Sequence, residues 1–185
     1  MILRYAITDP KYYGTSANEL KESVKRVLDS KEVDMICLRD KKSKNYEALA
    51  EAFLSLKPSF KDTLFLLHTE LELARRLEAD AIHLSSDMIG SVEAAARSGV
   101  RVIVSTHSLE EAKVCEAAGA YGVTYGPIFN TPGKGAPKGL EKLKEITGKI
   151  SINIFALGGI TGNEEIEAVE RAGAAGFASI RYFVD

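Results

Sequence analysis

The sequence predicts a (β/α)8 barrel, and three observations carry that prediction. Eight short apolar runs alternate with helix-like stretches along the chain. Most of the runs are continuous rather than alternating in polarity, as parallel strands buried on both faces require. No Gly-rich fingerprint follows the first run, where a doubly wound dinucleotide-binding sheet would carry one; "ITDPKYYGTS" stands there instead. With 185 residues the chain is short for such a barrel, which typically takes about 250. Only "RYFVD" follows the eighth run, so a minimal barrel is expected, its last outer helix truncated to one turn or missing.

The strands are expected at 3–8 (LRYAIT), 35–39 (MICLR), 63–67 (TLFLL), 81–85 (AIHLS), 102–106 (VIVST), 122–126 (GVTYG), 154–158 (IFALG) and 176–180 (GFASI). Between them, four helix starts carry a capping box, in which a hydroxyl caps a backbone N–H and a Glu three residues on reaches back. The pairs are Ser16/Glu19, Thr69/Glu72, Ser108/Glu111 and Thr161/Glu164. Two helix ends repeat a pattern as well: "AAGAYG" and "RAGAAG" each pass through Ala-Gly-Ala into a strand.

Composition sets the outer bounds. The chain is 45% hydrophobic and 27% charged, which suits a single domain over 1–185 with one core. A formal net charge of −2 gives no sign of nucleic-acid or membrane attraction, so any anion must be met by a local cluster. Cys37 and Cys115 lie in apolar stretches without metal-ligand spacing and are expected as reduced core residues. "MILRYAITDP" is too soon polar for a signal peptide, and a cytoplasmic protein is expected. A partner subunit could cover the ends of so small a barrel, so a homo-oligomer is possible.

In such a barrel the site lies at the C-terminal ends of the strands. That rule selects Arg39, Lys41, Lys42 and Lys44 after the second strand, His68 and Thr69 after the third, and Ser85, Ser86 and Asp87 after the fourth. It adds Ser105, Thr106 and His107 at the fifth, Thr131, Lys134 and Lys138 in the long loop after the sixth, and Gly158, Gly159, Ser179 and Arg181 at the last two. Cations near Gly-rich strand ends suit a small phosphorylated ligand. The loops after strands seven and eight form the usual phosphate position of this fold, which makes Gly158, Gly159 and Ser179 the phosphate candidates. Gly158–Gly159 also fits a plain tight turn.

The loop "YGPIFNTPGKGAPKGL" (125–140) fails the P-loop pattern, which would need glycine at Ile128 and Ser or Thr at Gly135. It fits a basic segment able to close over an anion, and equally a surface loop with solvated lysines. His107 precedes the cap Ser108 at the mouth side of strand five, where an imidazole could exchange a proton with a ligand or simply contact the helix start. His83 lies inside strand four and is expected to be structural, and His68 fits either role. Asp9, Asp40 and Asp87 are separate carboxylates, expected as turn or cap residues, and no tightly held metal is predicted.

Taken together, these segments resemble the thiamine phosphate synthase/TenI family over nearly the whole chain. "YAITDP" is similar to its first strand, "CLRDK" to L-R-x-K, "ADAIHLSSD" to A-D-G-V-H-L-G-Q, and "STHSLEEA" to S-x-H-S/T-x-E-E-A. The long loop resembles G-P-I-F-x-T-x-T-K…G-L, and "ALGGIT" and "AAGFASI" its phosphate-side strands. The resemblance implies a TIM barrel that binds a thiazole phosphate or thiamine phosphate. It also separates two activities. Synthases carry I-N-D-R at strand three for a pyrophosphate–Mg²⁺ site, and here Leu67, His68, Thr69 and Glu70 align with it. A second family Asp aligns with Met88, and the second Thr of the loop motif is Gly133. Arg39, Lys41, Thr131 and Lys134 match substrate-binding positions.

The resemblance therefore implies, as its leading expectation, a TenI-like thiazole tautomerase needing no cofactor. In it His107 moves a proton to aromatise a thiazole carboxylate phosphate. The alternatives are the Mg²⁺-dependent synthase itself, with Asp87 or Asp40 placing the metal, and a non-catalytic thiazole or thiamine phosphate-binding regulator.

Overall fold

The computed structural model describes residues 2–184. Eight parallel strands close into a barrel in chain order: β1 (Leu3–Ile7), β2 (Met35–Leu38), β3 (Leu64–His68), β4 (Ala81–Leu84), β5 (Arg101–Thr106), β6 (Gly122–Tyr125), β7 (Asn153–Leu157) and β8 (Gly176–Ser179). Closure runs through the β1–β8 pairing, in which Leu3 lies opposite Gly176 and Ala6 opposite Ser179. Every expected strand is present, with ends shifted by a residue or so.

One side of each strand meets the helices and the other fills the barrel, so both are dry. Tyr5, Cys37, Leu66, Ile103 and Phe155 pack inside, while Ala6, Ile36, Phe65, Val102 and Phe177 face the outer layer. Phe155 shows how sequence sets this core. A Cβ on Gly122 or Gly176 would come within 3.0 Å or 2.6 Å of its ring, so two glycines on flanking strands make room for one phenyl group. The ring meets Tyr5 edge-on at 5.6 Å, a favourable aromatic geometry.

The outer layer comprises α1 (Pro10–Tyr13), α2 (Ala17–Ser30), α3 (Tyr46–Leu54), α4 (Leu71–Arg76), α5 (Val92–Arg97), α6 (Leu109–Ala117), α7 (Gly139–Thr147), α8 (Asn163–Arg171) and α9 (Arg181–Val184). The longest, α2, buries Leu20, Val24 and Val27 at helical spacing and starts with the full Ser16/Glu19 capping box. At α6 the Ser108 hydroxyl accepts from Glu111 N–H, but the Glu111 carboxylate accepts from His107 N–H one residue earlier than expected. The box at α8 is displaced by one: Gly162 is the cap, and Glu165 rather than Glu164 reaches back to its N–H.

The fourth expected box does not form. Thr69 has φ 65°, Glu70 takes the cap position of α4, and the Thr69 hydroxyl donates to His68 O instead. The single turn α9 agrees with the truncated last helix, and its Phe183 stacks on Phe177 at 5.9 Å. No helix among the described residues is long and apolar enough to cross a membrane.

Candidate active site

At the C-terminal mouth, contacts join several of the expected residues into one arc. Behind β5, His107 is exposed, with Nδ1 3.3 Å from Gly126 O at the start of the long loop. The loop then lies on the end of β7: Ile128 N–H donates to Leu157 O at 2.9 Å and Phe129 N–H to Gly158 O at 3.0 Å. Gly158 (φ 101°) and Gly159 (φ 72°) are needed for this approach as well as for their backbone angles. A Cβ on Gly158 would meet Pro127 at 2.7 Å and the Thr131 hydroxyl at 3.1 Å, and one on Gly159 would meet Phe129 at 2.6 Å. Buried Ser179 continues the arc, its hydroxyl donating to Ile160 O at 2.8 Å.

The loop is closed at its base, where Lys138 N–H donates to Pro127 O at 2.8 Å. Its tip, with Lys134, projects into solvent, and Gly133 and Gly135 have open space around them. Thr131 and the Gly158–Gly159 turn are therefore brought together, while Lys134 sits at the free edge.

Arg39 and Lys41 lie elsewhere. They line a cleft of about 500 Å³ beside the ends of β1 and β2, together with Asp9, Lys11, Thr15, Asp40, Lys42 and Ser43. None of its lining residues belongs to the arc. The cleft sets four cations against two carboxylates. Each carboxylate also serves the local backbone: Asp9 Oδ1 accepts from Lys11 N–H, and Asp40 Oδ1 from Lys42 and Ser43 N–H. Asp87, at the end of β4, accepts from the Ser85 hydroxyl, and that bond holds its carboxyl below the usual range. All three carboxylates thus have the turn or cap partners expected of them.

The interior just beneath the mouth joins the candidate Ser105 and the undecided His68 to His83, expected to be structural, and to Tyr5, which the sequence did not single out. The Tyr5 hydroxyl is 2.7 Å from His83 Nδ1, and His83 Nε2 is 2.9 Å from Ser105 Oγ. His68 ends β3 with its ring 5.8 Å from that of His83. Burial, aided by the charges of Arg39 and Lys41, pushes His68 down to about 4, against a weaker opposing pull from Asp87. Burial chiefly, then His68 and the same two cations, puts His83 at about 3. Both rings are neutral at pH 7. Next to His68, the β-branched Thr69 is held at positive φ, a strained conformation of the sort that concentrates at functional sites. Burial pushes the Cys37 thiol up to about 12 and Cys115 to about 11, so neither is a thiolate, and both are free and buried.

Strand parity in the sequence supplies only half of the signal for these groups; the register of the closed barrel supplies the rest. Residues of one parity on successive strands face the barrel interior, and Tyr5, His68, His83, Ser105 and Thr124 share that parity once the register is known.

A family model described as thiamine monophosphate synthase matches residues 4–183. The chain belongs to the thiamine monophosphate synthase family. The match is to the family as a whole and does not single out the TenI-like branch. A putative thiamine-phosphate synthase 2 of Aquifex aeolicus is 38% identical, over 98% of this chain and 97% of that protein. The thiamine-phosphate synthase of Halalkalibacterium halodurans is 35% identical, over 82% of this chain and 74% of that protein. Among solved structures, thiamine phosphate pyrophosphorylase from Pyrococcus furiosus superimposes with a TM-score of 0.82 at 27% identity, covering 97% of this chain and 85% of that one. The two sequence relatives carry the synthase name and the solved structure is named a pyrophosphorylase; none carries the name of the isomerase expected above.

Proposed function

We propose that this member of the family is a thiamine phosphate synthase, joining a thiazole phosphate to a pyrimidine pyrophosphate with release of pyrophosphate. The carrying observation is the cationic cleft at β1 and β2, separate from the arc that runs from β5 to β8. Beyond its phosphate, the tautomerase substrate offers only a single carboxylate, whereas the pyrimidine substrate brings a pyrophosphate, whose higher charge better matches a cleft of four cations against two carboxylates. The names of the relatives support the same choice.

In this reading Arg39 and Lys41 hold the pyrophosphate, with Lys11 and Lys42 adding positive field. Backbone N–H groups at Gly158, Gly159 and Ser179 take the thiazole phosphate, and Thr131 and Lys134 close over it. Mg²⁺ usually takes one or two protein carboxylates and draws its other ligands from phosphate and water. Asp9 and Asp40, which share the cleft, fit that demand, although no group of three or more candidate ligands exists among the described residues. When bound there, the ion would offset charge on the departing pyrophosphate.

A second reading, the thiazole tautomerase, is favoured by one observation: the end of β3 presents His68 and a strained Thr69 where the resemblance calls for Asn and Asp. His107 would then be the proton carrier. Substitutions at the two anion sites separate the readings. Loss of a charge-assisted hydrogen bond costs about 1.5–3 kcal/mol, or roughly 10- to 100-fold. Arg39→Ala should raise KM for the pyrimidine pyrophosphate by that factor and leave KM for the thiazole phosphate nearly unchanged; Lys134→Ala should do the reverse. If the wild-type protein did not turn over the pyrimidine pyrophosphate at all, while it isomerised the thiazole carboxylate phosphate and His107→Ala abolished that isomerisation, the tautomerase would stand in place of the synthase.

A further inference from the structure

The polar chain beneath the mouth has a direction. Tyr5 is fully buried, and its hydroxyl lies 2.7 Å from His83 Nδ1. A phenol is a stronger hydrogen-bond donor than an alcohol, and an imidazole nitrogen is a stronger acceptor than the nearby Cys37 sulfur. The Tyr5 proton therefore goes to Nδ1. The ring is neutral and has one N–H, which must then sit on Nε2. That N–H points at Ser105 Oγ, 2.9 Å away, and the Thr124 hydroxyl adds a second, longer donor contact to the same oxygen at 3.5 Å. Ser105 thus accepts from within the barrel, and its own proton has no partner among the described residues. Ser105 is only half-buried, at the end of β5 that opens on the mouth.

We propose that Tyr5 and His83 form a one-way hydrogen-bond chain that fixes Ser105 as a donor into the mouth. Tyr5 and His83 are then positioning residues, and the matching ligand atom is an acceptor: a ring nitrogen, a carbonyl or a carboxylate oxygen. A ligand presenting an N–H there would face an oxygen whose two lone pairs are already engaged by His83 and Thr124, and would bind more weakly than one presenting an acceptor. The functional part of this inference rests on the mouth being the substrate site, as proposed above; the tautomer does not.

The deciding measurement is the ¹⁵N signature of His83 in the wild-type protein without ligand. The chain requires an unprotonated Nδ1 and a protonated Nε2, and the opposite tautomer would overturn it. Binding of thiamine phosphate to wild type, Tyr5→Phe, Ser105→Ala and the double variant gives the second arm. Each single change should weaken binding by roughly 3- to 10-fold. Tyr5→Phe should add nothing in the Ser105→Ala background, because no Ser105 donor is left there for Tyr5 to orient. A merely structural Tyr5 would weaken both backgrounds alike, which refutes the positioning role. Wild-type protein that fails to bind thiamine phosphate would sink the functional reading, while the tautomer still decides the chain. Since the tautomer is read on wild type, it decides also if Tyr5→Phe does not fold.

Discussion

Lowering the pH from 7 to 5 is expected to remove about 4 kcal/mol of folding stability through His68 and His83 alone. In the folded protein they titrate at about 4 and about 3. In the unfolded chain both return to an ordinary value near 6.5. Because the folded values are depressed, the unfolded chain binds protons more readily between these limits. The stabilisation is therefore fully present above about pH 6.5 and is lost as pH falls toward the folded values. At pH 5 the medium is about 1.5 units below the unfolded value, and each unit is worth roughly 1.4 kcal/mol, giving about 2 kcal/mol per ring. The carboxyls of Asp87 and Glu19 are held low by hydrogen bonds, from the Ser85 hydroxyl and the Ser16 N–H respectively, so their contributions fade at still lower pH. Urea denaturation at the two pH values, on wild type and His68→Asn, reads the effect. The variant should show about half the pH-dependent loss. Equal stability at pH 7 and 5, or NMR titration of both rings near 6.5, would refute the burial argument.

Three further outcomes follow from the geometry. Gly159→Ala places a Cβ 2.6 Å from Phe129 at a positive φ and should cost about 2–4 kcal/mol, whereas Gly133→Ala, in open space, should cost about 1 kcal/mol; thermal or urea unfolding compares them. Phe155→Ala empties the centre of the barrel and should destabilise by about 3–5 kcal/mol, measured the same way. Lys134→Ala should leave stability within about 0.5 kcal/mol of wild type, since the side chain is exposed, yet weaken binding of thiazole phosphate in calorimetry.

Much of the fold was legible because buried parallel strands write themselves as continuous apolar runs, and 176–180 or 102–106 can hardly be anything else. The caps were less so. Thr161 and Gly162 can each precede a helix, and only the placement of the Glu165 carboxylate chooses between them. Thr69 looked like a cap from its hydroxyl and the later Glu72, but the chain turns through positive φ there and starts α4 one residue on. The arc of Thr131, Gly158 and Gly159 could be anticipated because loop position is fixed by the barrel. The Tyr5–His83–Ser105 chain could not be, because residues on three strands meet only through the register of β1, β4 and β5 within a closed barrel. His83 looked structural within its own strand, and its two hydroxyl partners lie 78 and 22 residues away.

The most direct test of the proposed function is pyrophosphate release by purified protein given the pyrimidine pyrophosphate and thiazole phosphate with Mg²⁺. A synthase releases one pyrophosphate per thiamine phosphate formed, and only when both substrates are present. Absence of pyrophosphate release, with the same protein isomerising a thiazole carboxylate phosphate, would contradict the synthase and establish the tautomerase instead.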